Sequence, residues 1–531
     1  MRQTGGMARG RDRWSKVSES PTNIGTAATS EQLTAEDLFA PESADELPLD
    51  EQLRQAYFWL VNRAIISPYY DIEFSHGEPL RIPLGDAGAE LRLPTEQSYS
   101  SNVLMPLLTF AVGGKCLLIG GPGRGKTTLA VLMGVLAGLP SREVRRMVQQ
   151  GQPQLTVSDL VGMPLPKDLV NADSLADIRI AWRDWLTGPV KIVDEYNRIP
   201  TKTQSALLTM VAEGYVESYD QMQRTAPENG VEAWFFTAND DAGGGTFPVI
   251  QALRDRIDVT VQTAGFNMRF FDELVTRIEA GERPEDHVPA ELVFSAGDLA
   301  TLPKAIRSVP VPRAVRRRLE FFAGQFEFVQ HGGRRFEYRT KDSVATAGGR
   351  VADVIGANSG ADLQVDPGSQ TITGLSVRNL QGLILYAKAM AFFRGSAEVT
   401  EDDLRAVAPF VLRGKLLPND LHPAFESETG RELALDSATW VQELWDASVA
   451  EFRKLGLDDD DPVGDLLAAF EEGLDGLSAV EVSRRLTAVE SAIRAIGDQK
   501  KLYGRHFDDL LALKYLHQRY ANYQRWLASR S

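Results

Sequence analysis

The chain has 531 residues, 43% of them hydrophobic, enough for two or three domains with a sizeable buried core. Its formal charge of -16 argues against nucleic acid as a partner, because binding to phosphate backbones needs a basic surface that displaces counterions. The one cysteine, Cys116, excludes an intramolecular disulfide or a thiolate cluster, and the six histidines show no H-E-x-x-H spacing that would suggest zinc.

Residues 1–48 open with MRQTGGMARGRDRWSK, positively charged but lacking an apolar stretch, and continue in Ser, Thr, Gly, Ala and acidic residues that bury too little surface to offset ordering entropy. They read as a flexible tail, and no membrane-spanning run follows anywhere. Cytoplasmic residence is therefore expected. Residues 49–95 form a small preface. A helix is predicted in DEQLRQAYFWLVNRAII, where Leu53, Tyr57, Leu60 and Ala64 recur at helical spacing, then two short strands in DIEFSHGEPLRIPLGDAGAELRLP.

From residue 96 to 265 apolar runs alternate with helical periods, the pattern of a parallel sheet with crossover helices. KCLLIG, VKIVDE and EAWFFTAN read as buried strands, and PTKTQSALLTMVAEG as a helix with Pro200 at its start and Gly214 past its end. Residues 266–415 turn mainly helical, interrupted between about 325 and 375 by an insert that reads as hairpin-like, as in FEFVQHGGRRFEYRTK. Residues 416–531 read as a helical extension, broken by the acidic run Asp458 to Asp461 and Pro462.

Chemistry concentrates in the α/β segment. Gly120, Gly121, Pro122, Gly123, Arg124, Gly125, Lys126 and Thr127 fit G-x-x-x-x-G-K-[ST], directly after KCLLIG and before the apolar helix that Thr127 and Thr128 begin. Glycines there let backbone N–H groups wrap phosphates, and the helix N-terminus adds positive potential. Lys126 reaches the β- and γ-phosphates, and Thr127 can ligate magnesium. VKIV then delivers Asp194 and Glu195 at a strand's carboxyl end, where open α/β sheets bind ligands. Asp194 suits a water-mediated magnesium contact and Glu195 the activation of an attacking water, so hydrolysis rather than binding rests on Glu195. Asn239, ending the third strand, is either a turn residue or a side chain facing the γ-phosphate. Arg254 and Arg256 flank Asp255 and are either surface ion pairs or a guanidinium offered to a neighbouring subunit's phosphate.

The ordered series GGPGRGKTT, TVSDLVG, GPVKIVDEYNRIPTKTQSALL, TAND, GTFPVIQALRDRID and SVRNLQGLILYAKAMAFFRG, over about residues 96–415, resembles the MoxR-type AAA+ ATPases. DEYNR with PTKTQSALL, and GTFP before LRDRID, are its most specific parts. The resemblance implies an AAA+ parallel-sheet P-loop core with a helical lid, here extended by the C-terminal helices. It also implies ATP and Mg2+ as cofactors, Asn239 as sensor 1, Arg256 as an arginine finger given in trans, and Arg378 as sensor 2 on the lid. A homo-oligomeric ring, usually a hexamer, is implied too, with a von Willebrand factor A-domain protein as partner and remodelling or maturation of a partner protein as the task. Pore-facing hairpins would fall at LADIRIAWRDW and around YVESYDQMQRTAPENGVEAW. Tyr196 in place of an aliphatic residue, the lid insert and the preface depart from the family pattern.

Other features take bland readings. Cys116 reads as a core residue, and Trp182 and Trp185 as packing residues. Arg313, Arg316, Arg317 and Arg318 read as a solvated or subunit-facing edge, and the final helices as an intramolecular bundle. Three rivals stay open: a nucleic-acid-stimulated motor, a non-hydrolysing regulatory ring, and a metal-chelatase-like ATPase subunit.

Overall fold

In a computed structural model, residues 47–529 are described, apart from 67–68, 76, 86–88, 172, 228–231, 240–250, 282, 329–339, 357–362 and 364–365. The predicted tail up to residue 46 and the GTFP motif lie outside the described residues. The preface begins with helix α1 (Leu49–Trp59), prolonged by a π-helical turn, Leu60–Ala64. Leu53, Tyr57, Leu60 and Ala64 are all buried, as their period requires. The preface holds more strands than the two expected. β1 (Ile72–Glu73) pairs antiparallel with β4 (Ser98–Tyr99), and between them β2 (Leu80–Leu84) and β3 (Ala89–Leu93) form a separate hairpin.

Helix α2 (Ser101–Val112) leads into β5 (Lys115–Ile119) and α3 (Lys126–Leu136), and the strands β6 (Gln149–Gln150), β7 (Gly162–Pro164), β8 (Ile180–Trp182) and β9 (Val190–Asp194) follow. After helix α4 (Thr201–Glu213) come β10 (Tyr215–Ser218), β11 (Gln221–Arg224), β12 (Ala233–Ala238) and β13 (Val259–Gln262). Five of these make one parallel sheet in the order β13-β5-β12-β9-β6. The near-continuous apolar character of β5, β9 and β12 follows from a sheet buried on both faces. Two antiparallel pairs, β7 with β8 and β10 with β11, lie outside this sheet; β8 falls within LADIRIAWRDW and β10 and β11 within YVESYDQMQRTAPENGVEAW, while β7 falls outside both segments.

Helices α5 (Phe271–Ala280), α6 (Ala296–Ser308) and α7 (Arg313–Ala323) precede the lid helices α8 (Val377–Arg394) and α9 (Glu401–Leu412). Residues 329–339, where the hairpin-like reading is centred, lie outside the described residues; further along the insert come short helices at Lys341–Thr346 and Val351–Gly356 and a 3-10 turn at Pro367–Gln370. Val344, Val351 and Ile355 form a small core there. An antiparallel bridge joins Phe328 to Thr340 at its start. The lid is fastened to both core and preface. Tyr386 donates to Thr109 Oγ1 at 3.0 Å, Phe393 meets Tyr57 and Tyr99 edge-on, and the Arg394 guanidinium lies 3.9 Å from the Phe74 ring centre.

Helices α10 (Ser437–Lys454), α11 (Pro462–Glu471), α12 (Ala479–Gly497) and α13 (Gly504–Ala528) complete the chain. The last three enclose Val482, Leu486, Val489, Leu513, Leu516 and Tyr520. Two arginines of α7 meet carboxylates of this extension and of the lid. Arg317 contacts Asp465 at 2.6 Å and Asp461 at 3.4 Å, and Arg318 contacts Asp458 at 2.5 Å and Glu401 at 3.1 Å. The acidic run thus docks the C-terminal helices onto the lid.

Candidate functional site

The site grows from the carboxyl ends of three adjacent strands, β5, β12 and β9. Beyond β5 the chain must turn sharply at Gly120, whose φ is 154° and where a Cβ would stand 2.2 Å from Thr263 Oγ1; only glycine fits. Arg124 braces the loop by donating to the Thr263 carbonyl at 3.1 Å. Gly125, with φ 73°, caps α3, so Lys126, Thr127 and Thr128 form its first turn. The Lys126 side chain is buried and folds back along the loop. Its Nζ donates to the carbonyls of Gly120 at 2.5 Å and Gly121 at 2.8 Å, and to Asn239 Oδ1 at 3.1 Å. The ammonium is thereby held at the mouth of a helix N-terminus, where its charge and the helix dipole act on the same anion.

Thr127 Oγ1 donates to Asp194 Oδ1 at 2.9 Å. A hydroxyl and a carboxylate side by side are the hard oxygen donors that a hydrated Mg2+ takes, so the residues fit that ion. Glu195 follows in the left-handed region (φ 51°, ψ 46°), a strained conformation for a side-chain-bearing residue. Its backbone is held on both sides. The Glu195 N–H donates to Thr237 Oγ1 at 3.0 Å, and the site that a Cβ on Gly151 would occupy is 2.1 Å from the Glu195 carbonyl oxygen, so the chain passes there only as glycine. The carboxylate is held as well, by Asn239 Nδ2 at 2.8 Å on Oε1 and by Arg198 Nε at 3.2 Å on Oε2.

The structure thus brings Lys126, Thr127, Asp194, Glu195 and Asn239 into one hydrogen-bonded group. Arg256 and Arg378 have other partners. Arg378 Nη1 contacts Asp255 Oδ2 at 2.8 Å with its side chain 55% exposed, and Arg256 donates to the Ala252 carbonyl at 2.9 Å. Thr237, Arg198 and Gly151 were missed from sequence. Thr237 donates to Asp194 Oδ1 at 2.5 Å while accepting from Glu195, so one hydroxyl ties both acidic residues together. Its position two residues before Asn239 on a strand, hence on the same face, was the available signal.

Two family models match the chain: the ATPase family associated with various cellular activities (AAA) over residues 115–259, and the AAA lid domain over residues 370–434. The chain is 28% identical over 309 residues to Chaperone MoxR1 of Mycobacterium tuberculosis (strain ATCC 25618 / H37Rv), covering 57% of this chain and 68% of that one. The chain is an AAA+ ATPase similar to the MoxR type. This ATPase is also 24% identical over 326 residues to the uncharacterized protein YeaC of Bacillus subtilis (strain 168), covering 61% of this chain and 83% of that one. A crystal structure of a candidate ATPase from Cytophaga hutchinsonii aligns with a TM-score of 0.44 at 21% identity, covering 64% of this chain and 88% of that one.

The bland residues of this AAA+ ATPase have structural roles. Cys116 is fully buried, and burial pushes its thiol far above the ordinary range. Trp185 is buried against Trp234, with its indole N–H on the Leu160 carbonyl at 2.7 Å, and Trp182 packs beside the same core. Tyr196, the departure from the family pattern, meets Phe236 edge-on with 5.7 Å between ring centres. Among the described residues no helix is long and apolar enough to cross a membrane.

Proposed function

We propose that this AAA+ ATPase uses Glu195 to activate water against the γ-phosphate of ATP, and turns the resulting change at a subunit interface into remodelling or maturation of a partner protein. The observation that carries the catalytic reading is the 2.8 Å contact of Asn239 with Glu195 beside the 2.9 Å contact of Thr127 with Asp194. Gly120 to Gly125 cradle the phosphates, and Lys126 neutralises charge on the β- and γ-phosphates. Asn239 orients Glu195 and the water, and Glu195 accepts the water's proton. Thr127 and Asp194 would hold Mg2+, which supplies charge neutralisation across the phosphates when bound.

Arg256 serves as the finger offered to a neighbour's phosphate and Arg378 as sensor 2 on the lid; the exposure of the Arg378 side chain beside Asp255 supports its availability to a nucleotide. Completion of each site by the next subunit makes a closed homo-oligomer, six subunits by family resemblance, part of catalysis. Loss of the γ-phosphate then removes a bridge between Lys126 of one chain and Arg256 of the next, and the interface shifts between two states. The remodelling role draws on likeness to a protein named a chaperone, and a von Willebrand factor A-domain partner and cytoplasmic residence draw on the family resemblance and the single cysteine. Against the nucleic-acid rival, Arg317 and Arg318 of the basic cluster are engaged by carboxylates of the chain itself.

The test is steady-state hydrolysis with Mg2+ and light scattering on the wild type, Lys126→Ala, Glu195→Gln and Arg256→Ala. Loss of turnover in all three, with Glu195→Gln still binding ATP and Arg256→Ala still assembled, is expected. A wild type that binds ATP and assembles yet never turns over would replace this reading with a regulatory ring.

A further inference from the structure

Between the core and the lid lies a cavity of about 690 Å³, open to solvent, and none of residues 120–128 lines it. It meets the catalytic group at Asn239, whose side chain also touches Lys126 Nζ at 3.1 Å and Glu195 Oε1 at 2.8 Å. The lid side contributes Asn379, Arg413 and Lys415. The cavity therefore starts beside the residues assigned to the γ-phosphate and leads away from the phosphate loop.

Arg413 and Lys415 make it attractive to an anion. Both are partly buried, and burial lowers the Lys415 ammonium to about 8. Among the described residues neither forms an ion pair: Arg413 Nη2 donates to Gln262 Oε1 at 2.6 Å, and Lys415 Nζ to the Asp258 carbonyl at 2.8 Å. The first turn of α8 borders the cavity through Ser376 and Asn379, so a helix N-terminus adds positive potential. Three carboxylates also line it. Asp255 is paired with Arg378, while Glu327 and Asp342 are not among the charges acting on Arg413 or Lys415. They stand apart from the two cations and repel an anion back toward them.

Asn379 narrows the ligand further. It is 3% exposed, yet its carboxamide oxygen has no hydrogen-bond partner among the described residues. A buried acceptor without a donor is costly, so the ligand is an anion that also carries an O–H. Hydrogen phosphate is such an anion, and ATP hydrolysis produces it.

We propose that this cavity receives the inorganic phosphate cut from ATP, held by Arg413, Lys415 and Asn379 while ADP still occupies the phosphate loop. The inference rests on the hydrolysis reading above. With ADP in place the way back across the loop is blocked, and the way past Asn239 is open. The phosphate oxygens take the guanidinium and the ammonium, and its O–H donates to Asn379 Oδ1. Because Arg413 and Lys415 follow lid helix α9 and also hold Gln262 and Asp258 of the core, departure of the phosphate loosens the join between lid and core.

The experiment titrates inorganic phosphate into the full-length chain with Mg2+ and saturating ADP, followed by calorimetry. Binding should survive Lys126→Ala, which disables the loop. It should weaken about tenfold or more in Arg413→Gln and Asn379→Leu, each deprived of one bond to the ion. Asn379→Leu removes an unpartnered acceptor at similar volume, so its denaturation midpoint should not fall. In rapid-mixing assays, phosphate release should lag behind ATP cleavage in the wild type and coincide with it in Asn379→Leu, with ATP affinity unchanged. Phosphate that fails to bind the wild type overturns the proposal. So does binding lost in Lys126→Ala but kept in Arg413→Gln and Asn379→Leu, which puts the ion at the loop, or an equal lag in both chains. These outcomes leave the hydrolysis reading standing. A wild type that binds phosphate through Arg413 and Asn379 yet never cleaves ATP removes that reading, and the product role with it.

Discussion

Replacing Thr237 by valine keeps the shape of a fully buried side chain and deletes its hydroxyl. That hydroxyl accepts the Glu195 N–H at 3.0 Å and donates to Asp194 Oδ1 at 2.5 Å. Asp194 Oδ1 still receives Thr127, so the group left without a partner is the Glu195 N–H, within a backbone already in the left-handed region. An orphaned buried donor costs about 1–3 kcal/mol, and the stability loss in a denaturant titration should fall in that range. The functional loss should be larger in proportion. Without its tether the Glu195 backbone is free to leave its strained conformation, and a displacement near 1 Å of a catalytic group lowers turnover about a hundredfold. Lys126 and the glycine loop are untouched, so KM for ATP should hold. Steady-state phosphate release with a fluorescent-nucleotide titration separates the two effects, and Thr237→Ser should restore most of kcat. Wild-type kcat in Thr237→Val, or a serine variant as impaired as the valine one, would refute the tether.

Glu195→Gln should bind ATP with unchanged affinity and lose turnover by roughly 10²–10⁴-fold, the range of general acid–base catalysis, measured by phosphate release and equilibrium binding. Arg256→Ala should lose about 10³-fold or more as a trans finger, whereas Arg254→Ala should lose little; mixing Arg256→Ala with Glu195→Gln chains should recover some activity, which a finger acting in its own subunit would not allow. Lys191 is fully buried in β9 between the Gly188 and Thr225 carbonyls and Glu232, so Lys191→Met should cost about 3–5 kcal/mol in chemical denaturation, the penalty for leaving a buried charge unpaired. Burial lowers the Lys415 ammonium from 10.5 to about 8. Between those values the unfolded chain holds a proton that the folded chain has lost, so the wild type should gain stability relative to Lys415→Met as pH rises from about 8 to 10.5, and the difference should be flat below about 8. Denaturant midpoints across that range check the sign.

Segments whose physics is local were legible from the residues. The strand KCLLIG, the glycine turn and the helix after Lys126 are one continuous stretch in which spacing dictates backbone geometry, and Leu53, Tyr57, Leu60 and Ala64 announced a buried helical face. In the insert near 325–375 the short helices at Lys341–Thr346 and Val351–Gly356 were not legible, because the small core of Val344, Val351 and Ile355 depends on how the two helices meet. Lys191 illustrates a different limit. A lysine inside VKIV looks like an interruption of an apolar strand, and its burial is explained only by the nearby Gly188 carbonyl together with the Thr225 carbonyl and Glu232 from further along the chain.

By itself the sequence determined that a phosphate loop, an acidic strand end and an alternating α/β core exist, because each depends on neighbours along the chain. Strand order was decided only in three dimensions. β12 lies between β5 and β9, and that placement sets Asn239 between Lys126 and Glu195 and sets Thr237 over both acidic residues. Tertiary structure alone also decided that Arg317 and Arg318 meet carboxylates about 140 residues away and that Arg378 meets Asp255. The physical reason is the same in each case: hydrogen bonds and ion pairs between segments far apart in the chain depend on packing of whole elements, and spacing within one element carries no record of it.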